Sequence, residues 1–366
     1  MIENWGELSA LLSANAYERG IPLTGEFELT PRCNLSCQMC YICRSPGDKE
    51  VIKKELKARD WIKLGVSALE AGTLFIQLTG GEIFLKEDFK EIYEEYTKLG
   101  FNISLNTNGT LITPAVASWI GNIPPSQIDI TLYGASKETY AKVCGNPDGF
   151  DHTLRGVSLL LDQGINVQLR TTIIQSNIRD YEQMQEIANR LGLDLGIVNY
   201  ISPRRDDNLK APTEIRLSPK DLAAFEHKVF GIDLPSNPER EAAFDLVRSF
   251  DISKLEIASA FSEDAIFPCS AGKLTYWVTW DGRMVPCPNM NQPVTYPLKE
   301  GLLNAWNHLK ELCVTIPGCS ECKVCSYKEQ CCSCPANLYG ETGFYDKPAK
   351  YLCELARERV NTHKAI

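Results

Sequence analysis

Six strand-like apolar runs, each followed by an amphipathic helix-like run, alternate between residues 26 and 200 of this 366-residue chain. The strand-like runs are 26–30, 74–79, 101–106, 127–132, 166–173 and 194–200. The helix-like runs lie near 55–71, 86–99, 114–120, 137–143, 151–163 and 180–191. Such β–α alternation predicts a parallel sheet with right-handed crossovers. Six units are too few to close an eight-fold barrel, so the expected fold class is α/β, a curved partial (β/α)6 TIM-like barrel. Functional side chains of such barrels gather at the carboxyl ends of the strands. That rule picks out a cysteine loop after the first strand, Gly80, Gly81 and Glu82 after the second, and Asn108 with Gly109 after the third. Thr131 and Tyr133 end the fourth strand, Arg170 lies on the fifth, and Tyr200 closes the sixth.

The cysteine loop sets Cys33, Cys37 and Cys40 in a C-x3-C-x2-C spacing. Three thiolates on one loop can hold three irons of a [4Fe–4S] cluster and leave the fourth iron open to a ligand. A structural zinc site normally takes four protein ligands. The chain's four histidines, His152, His227, His308 and His363, are all remote in sequence, but Cys43 is within reach as a fourth thiolate. Gly80 and Gly81 let the backbone approach a ligand closely, although a Gly-Gly-Glu run also suits a plain strand-ending turn. Asn108-Gly109 is by itself a tight-turn signal, and Arg170 fits a surface ion pair as well as a ligand contact.

In spacing and position the loop resembles the signature of the radical S-adenosylmethionine (SAM) enzymes, and Gly80-Gly81-Glu82 resembles that family's GGE motif. The resemblance implies that the open iron binds the amino and carboxylate groups of SAM. It also implies that reductive cleavage gives a 5′-deoxyadenosyl radical, which abstracts a hydrogen atom. By the same resemblance Gly80, Gly81 and Glu82 meet the methionine ammonium, Asn108 faces SAM, Thr131 lies near the ribose and Arg170 meets the carboxylate. Relatives usually carry an aromatic residue just before the third cysteine. Here Met39 takes that place, able to pack on adenine, and Tyr41 follows the cysteine.

The C-terminal part is spaced Cys269-x12-Gly282-x4-Cys287, then Cys322-x2-Cys325-x5-Cys331-x2-Cys334, then Cys353. Asp281-Gly282 is a hairpin-turn signal between 276–279 and 284–285, and a hairpin would bring Cys269 and Cys287 together. The pattern resembles the seven-cysteine SPASM domain, with x2 in place of the usual x3 in its last interval. C-x2-C repeats also permit a pair of zinc ribbons. The resemblance implies two auxiliary [4Fe–4S] clusters, hence three in all. The first would use Cys269, Cys287 and Cys334, the second Cys322, Cys325, Cys331 and Cys353. The first is then open, or is closed by Cys313, Cys319 or Cys332. Cys144 reads as a small buried apolar residue.

Four units follow: an N-terminal extension over 1–24, the barrel over 25–201, a helical connector with two helices over 202–266, and a metal-organised domain over 267–366. Fifteen cysteines would mean disulfides in a secreted chain. However, residues 1–20 are acidic and lack the basic region of a signal peptide. No apolar run reaches the length of a membrane span. A cytoplasmic protein is therefore expected, with no membrane partner. The net charge of −9 without a basic run argues against nucleic acid.

Most SPASM enzymes modify peptides, so the resemblance implies a peptide or protein substrate that receives a crosslink (thioether or carbon–carbon) or an oxidation. An external one-electron reductant, flavodoxin or ferredoxin, is implied as well. The barrel begins too near residue 1 for a fused leader-binding domain, so leader recognition would fall to a separate protein, or the substrate would have no leader. Sulfatase-maturing relatives place an Asp where this chain has Pro288, which argues against that activity. The alternatives are a radical dehydrogenase of small molecules and, in another class, a non-catalytic electron-transfer protein. Tyr133, Tyr200 and Cys43 are candidates for catalysis by position alone.

Overall fold

The computed structural model describes residues 5–205, 214–231 and 267–364. All six expected strands form: β1 (Thr24–Glu28), β2 (Phe75–Thr79), β3 (Asn102–Thr107), β4 (Gln127–Thr131), β5 (Val167–Thr172) and β6 (Leu195–Val198). Each pairs in parallel with the next. The expected hairpin also forms, as β7 (Thr275–Val278) and β8 (Met284–Val285), with Gly282 at φ 87° in its turn.

The hairpin does not stand apart. β7 pairs in parallel with β1, so the sheet has eight strands in the order β6-β5-β4-β3-β2-β1-β7-β8. The first barrel strand is therefore an inner strand, and the C-terminal part is stitched directly to the barrel. Aromatic packing follows the same seam. The Phe27 ring lies 5.4 Å from Trp61, 5.9 Å from Tyr96 and 6.1 Å from Tyr276, and Tyr276 lies 6.0 Å from Trp306. Gly25 of β1 sits against the Tyr276 ring, where an added Cβ would come within 2.9 Å of Cζ. Gly25→Val is expected to cost about 1–3 kcal/mol through overpacking, read as a lowered denaturation midpoint; an unchanged midpoint would mean that Tyr276 moves aside freely.

Side chains on the parallel strands alternate. Phe27, Ile76, Leu78, Ile103, Leu105, Ile128, Ile130 and Leu169 pack beneath the helices with Trp61, Leu64 and Ile92. The other parity is polar. Glu26, Gln77, Ser104 and Gln127 stand in register across β1–β4, as do Asn106, Asp129 and Gln168 across β3–β5. Parallel sheets covered on both faces read as continuous apolar runs. This one instead turns a polar face to a hollow.

The helix Pro219–Phe230 is one of the two expected in the connector; the second lies outside the described residues. It packs against the C-terminal helix Lys350–Lys364, where Arg359 grips the buried Glu226 through two bonds of 2.8 and 2.7 Å. The N-terminal helix Trp5–Arg19 leads to Gly20, whose carbonyl accepts from Trp306 Nε1 (2.7 Å) and Lys310 Nζ (3.0 Å) of the helix Leu302–Val314. Among the described residues no helix is long and apolar enough to cross a membrane.

Candidate active site

The cysteine loop is closed at its base. Cys33 N donates to Arg44 O (3.0 Å) and Arg44 N to Pro31 O (2.9 Å). Arg32 holds the buried Glu55 carboxylate with Nε at 2.8 Å and Nη2 at 3.0 Å. The middle of the loop rests on the end of the helix Lys137–Cys144, where Ser36 N and Gln38 N donate to the carbonyls of Cys144 and Val143. Its far side is tied by Arg204, whose guanidinium reaches Cys40 O (3.3 Å) and Cys43 O (3.5 Å). Each thiol thus comes from a braced backbone.

A cavity of about 540 Å³ opens over the carboxyl ends of the strands. Cys33, Cys37, Cys40, Met39, Tyr41, Gly80, Gly81, Asn108 and Thr131 line it, as do Cys43, Tyr133 and Tyr200. Two of the expected ligand-binding residues do not. The Glu82 carboxylate is wholly buried and accepts from Thr107 Oγ1 (2.8 and 2.9 Å), Asn108 N (2.8 Å) and Phe84 N (3.1 Å). It braces the third-strand loop from behind. Arg170, half exposed, pairs with Asp129 (2.9 Å) on the polar face.

The two glycines have a different steric reason from the one expected. An added Cβ at Gly80 or Gly81 would run into the carbonyl oxygens of Thr30 and Arg32. The turn is also bonded there, Gly81 N to Thr30 O (2.6 Å) and Glu82 N to Arg32 O (2.8 Å). The close approach they permit is to the cysteine loop itself, and it leaves their backbone on the cavity wall.

Burial, with smaller contributions from nearby Glu82, Cys37 and Cys40, pushes the Cys33 thiol up to about 12. Cys37 is raised by a hydrogen bond with Cys144 and by burial, Cys40 by a hydrogen bond with Cys43 and by burial. Cys144 is thus a neighbour of a loop thiol as well as an apolar filler. Such thiols stay protonated until a metal displaces the proton, so loading the site releases protons. Among the described residues no three His, Cys, Asp or Glu side chains converge on one point tightly enough for a single metal ion. The thiolates of a cluster bind separate irons and need no such convergence.

The C-terminal cysteines fall into two groups. Cys287 is raised by burial and then by Cys334 and Cys269, and Cys334 is pushed up to about 12 by burial, with Cys269 adding to it. Cys334 therefore keeps company with Cys269 and Cys287, with Cys332 also close by. The second group gathers Cys322, Cys331, Cys353, Cys325 and Cys319. Cys319 Sγ accepts from Cys322 N at 3.4 Å and so belongs to this second group. Cys332 faces the cavity beside Arg359, and Cys313 lies against Gly272.

Several cavity residues escape the motif reading. Gln77, Asn106, Asn199, Asn289 and Asn337 all line the cavity, as does Arg359. Gln77 and Asn106 carried a signal, being polar residues at alternate positions of otherwise apolar parallel strands. Arg359 carried none; it arrives on the C-terminal helix, and its donors are held by Glu226 and by Gln330 O (2.6 Å).

Residues 27–191 match the radical SAM superfamily. Over 338 residues the chain is 24% identical to the AdoMet-dependent heme synthase of Methanosarcina barkeri, covering 89% of this chain and 94% of that one. It is 27% identical over 192 residues to AlbA, the antilisterial bacteriocin subtilosin biosynthesis protein of Bacillus subtilis, covering 52% of this chain and 42% of AlbA. Other curated relatives are also matched over less than half of their length. The crystal structure of Streptococcus suis SuiB bound to S-adenosylmethionine superposes with a TM-score of 0.68 at 16% identity, over 96% of this chain and 84% of SuiB. At that identity the likeness is one of fold, and it spans both the barrel and the C-terminal part.

Proposed function

Residues 27–191 match the radical SAM superfamily, and from that premise we propose that the chain is a radical SAM enzyme that modifies a peptide or protein. In this reading Cys33, Cys37 and Cys40 hold a [4Fe–4S] cluster with one open iron. SAM lies against Met39, Tyr41, Gly80, Gly81, Asn108 and Thr131. Bound together, cluster and SAM supply a carbon radical that removes a hydrogen atom from the substrate. Residues 267–366 hold two further clusters, one on Cys269, Cys287 and Cys334, the other drawn from Cys322, Cys325, Cys331 and Cys353. A flavodoxin or ferredoxin supplies the electron.

One observation carries the choice of a peptide. Among the described residues lining the cavity the amides besides Asn108, whose amide is engaged at both ends, are Gln77, Asn106, Asn199, Asn289 and Asn337, and the charged side chain is Arg359. Arg359 is already neutralised by Glu226. Side-chain amides offer a donor and an acceptor each and match a peptide backbone without net charge. A polyanion asks for several unpaired cations. The protein's part is then to align a backbone by these amides and to keep water from the reacting carbon.

A second reading has its own support. The likeness to the heme synthase runs over 89% of the chain, and heme is a tetrapyrrole bearing carboxylates. The two separate in one experiment. The reconstituted chain, SAM and dithionite are incubated anaerobically with a deuterated peptide encoded beside the gene, or with a deuterated iron tetrapyrrole carrying carboxylates. Deuterium in 5′-deoxyadenosine from the peptide alone supports the proposal; deuterium from the tetrapyrrole alone overturns it. SAM that is never cleaved would leave an electron-transfer protein.

A further inference from the structure

We propose that Asn108 is a positioning residue that donates an amide N–H hydrogen bond to the Cys33 sulfur and so holds the reduction potential of the loop's cluster higher than it would otherwise lie. The inference rests on the reading that Cys33, Cys37 and Cys40 bind that cluster. Asn108 is buried at 3% exposure, and its Nδ2 stands 3.6 Å from Cys33 Sγ and 2.9 Å from Asn34 Oδ1. Sulfur is larger than oxygen, and 3.6 Å is within donating range for it.

Which end of the amide faces the cysteine is settled by its neighbours. The Thr110 backbone N–H can only donate, and it meets Asn108 Oδ1 at 2.9 Å; the Thr110 hydroxyl meets the same oxygen at 2.6 Å. The oxygen is therefore fixed on Thr110 and the NH2 on Cys33 and Asn34. Asn34 cannot turn either, because its own Nδ2 donates to Thr110 Oγ1 at 2.8 Å. The Asn108 backbone is held at both ends, its N–H by Glu82 Oε2 (2.8 Å) and its carbonyl by Thr153 Oγ1 (3.0 Å). Leu35 N adds a second donor to the same sulfur at 3.4 Å.

Hydrogen bonds to the sulfurs are among the levers that set an iron–sulfur potential. A donated N–H draws electron density from the thiolate and favours the reduced, more negative state. Electron delivery to the loop is then easier with Asn108 present. The buried Glu82 holds the Asn108 backbone N–H in place, while Thr110 fixes the direction of its amide.

The test uses the full chain after anaerobic reconstitution, in wild-type form and as Asn108→Asp and Asn108→Leu. An EPR-monitored redox titration follows the reduced signal that changes when SAM is added. Both variants are expected to titrate at a more negative potential, Asn108→Asp the more so because it adds charge. A variant that fails to load iron is covered by a measurement on the wild type. With asparagine side-chain amides labelled with 15N, pulsed EPR of the reduced cluster should show a weak 15N coupling. Unchanged potentials in loaded variants, or no 15N coupling in the wild type, overturn this inference alone. A wild-type chain with no SAM-responsive signal overturns the underlying reading and this inference with it.

Discussion

Arg205→Met is expected to cost about 3–5 kcal/mol of stability, the cost of breaking a buried ion pair on one side. The Arg205 guanidinium bonds to Glu28 Oε1 at 2.5 Å and to Pro288 O at 3.2 Å, and lies over the Tyr41 ring with a centroid distance of 5.6 Å. The side chains of Arg205 and Glu28 are 6% and 0% exposed. Without the arginine, the Glu28 carboxylate keeps Trp277 Nε1 (3.1 Å) as its remaining donor. Burial pushes Glu28 upward and Arg205 holds it down, so the variant leaves it raised further. A carboxyl raised in the folded state binds its proton there more readily than in the unfolded chain. The variant's deficit should therefore shrink as pH falls through the raised Glu28 value. Arg205→Met with Glu28→Gln should recover most of the loss, because no charge is left unpaired. Denaturant titrations at two pH values measure all of this. A single variant within about 1 kcal/mol of wild type would mean that water reaches the pair.

This pair also marks what the sequence shows and what it hides. The six barrel strands were legible because each local run carries its own apolar stripe, and the helices beneath them bury that stripe. The boundaries moved by a residue or two. The run expected at 26–30 is the strand Thr24–Glu28, because Leu29 and Thr30 are buried yet already turn toward the second-strand loop, with Leu29 N on Thr79 O. The pairing of β7 with β1 was not legible, since it joins segments far apart in the chain and depends on assembly. Gly25 hinted at it, as a glycine inside a strand often marks a close approach.

For the site, spacing identified the loop thiols and the two glycines on the cavity wall. It could not tell which way a side chain turns. Glu82 and Arg170 sit at positions from which a ligand contact is natural, yet both are taken by protein partners. Asn199, Asn337 and Arg359 come from three segments and meet only in the folded chain. The polar parity of the strands was written in the sequence throughout. Gln77, Asn106, Asp129 and Gln168 each break an apolar run that a fully covered parallel strand would keep, and two of them, Gln77 and Asn106, line the cavity.

Cys334→Ala and Cys269→Ala are expected to remove the same four irons, whereas Cys331→Ala removes a different four. The C-x2-C spacing alone would let Cys331 and Cys334 share a zinc-ribbon-like site, whereas the SPASM resemblance assigns them to different clusters. In space Cys334 sits with Cys269 and Cys287, and Cys331 with Cys322 and Cys353. The backbone explains the divergence. Cys331 ends a short 3-10 turn, while Cys334 caps the helix Pro335–Thr342 and accepts from Asn337 N at 3.4 Å. That cap fixes the Cys334 thiol on the hairpin side. Three full clusters correspond to about twelve irons per chain. Cys334→Ala should then retain about eight, Cys334→Ala with Cys269→Ala still about eight, and Cys334→Ala with Cys331→Ala about four. Sulfide should follow iron in each case. If instead Cys334→Ala with Cys331→Ala kept about eight, the two cysteines would share one site and the crossing would be wrong. If the wild type held only about four, the C-terminal thiols would carry no clusters, and the barrel would work with the loop cluster alone. The crossing also bears on stability. A cluster that draws ligands from the hairpin and from the helix cap ties β7, and through it β1, to the C-terminal segment. Loss of that cluster should therefore loosen the barrel seam as well as the C-terminal part, and Cys334→Ala should unfold at a lower denaturant concentration than Cys331→Ala.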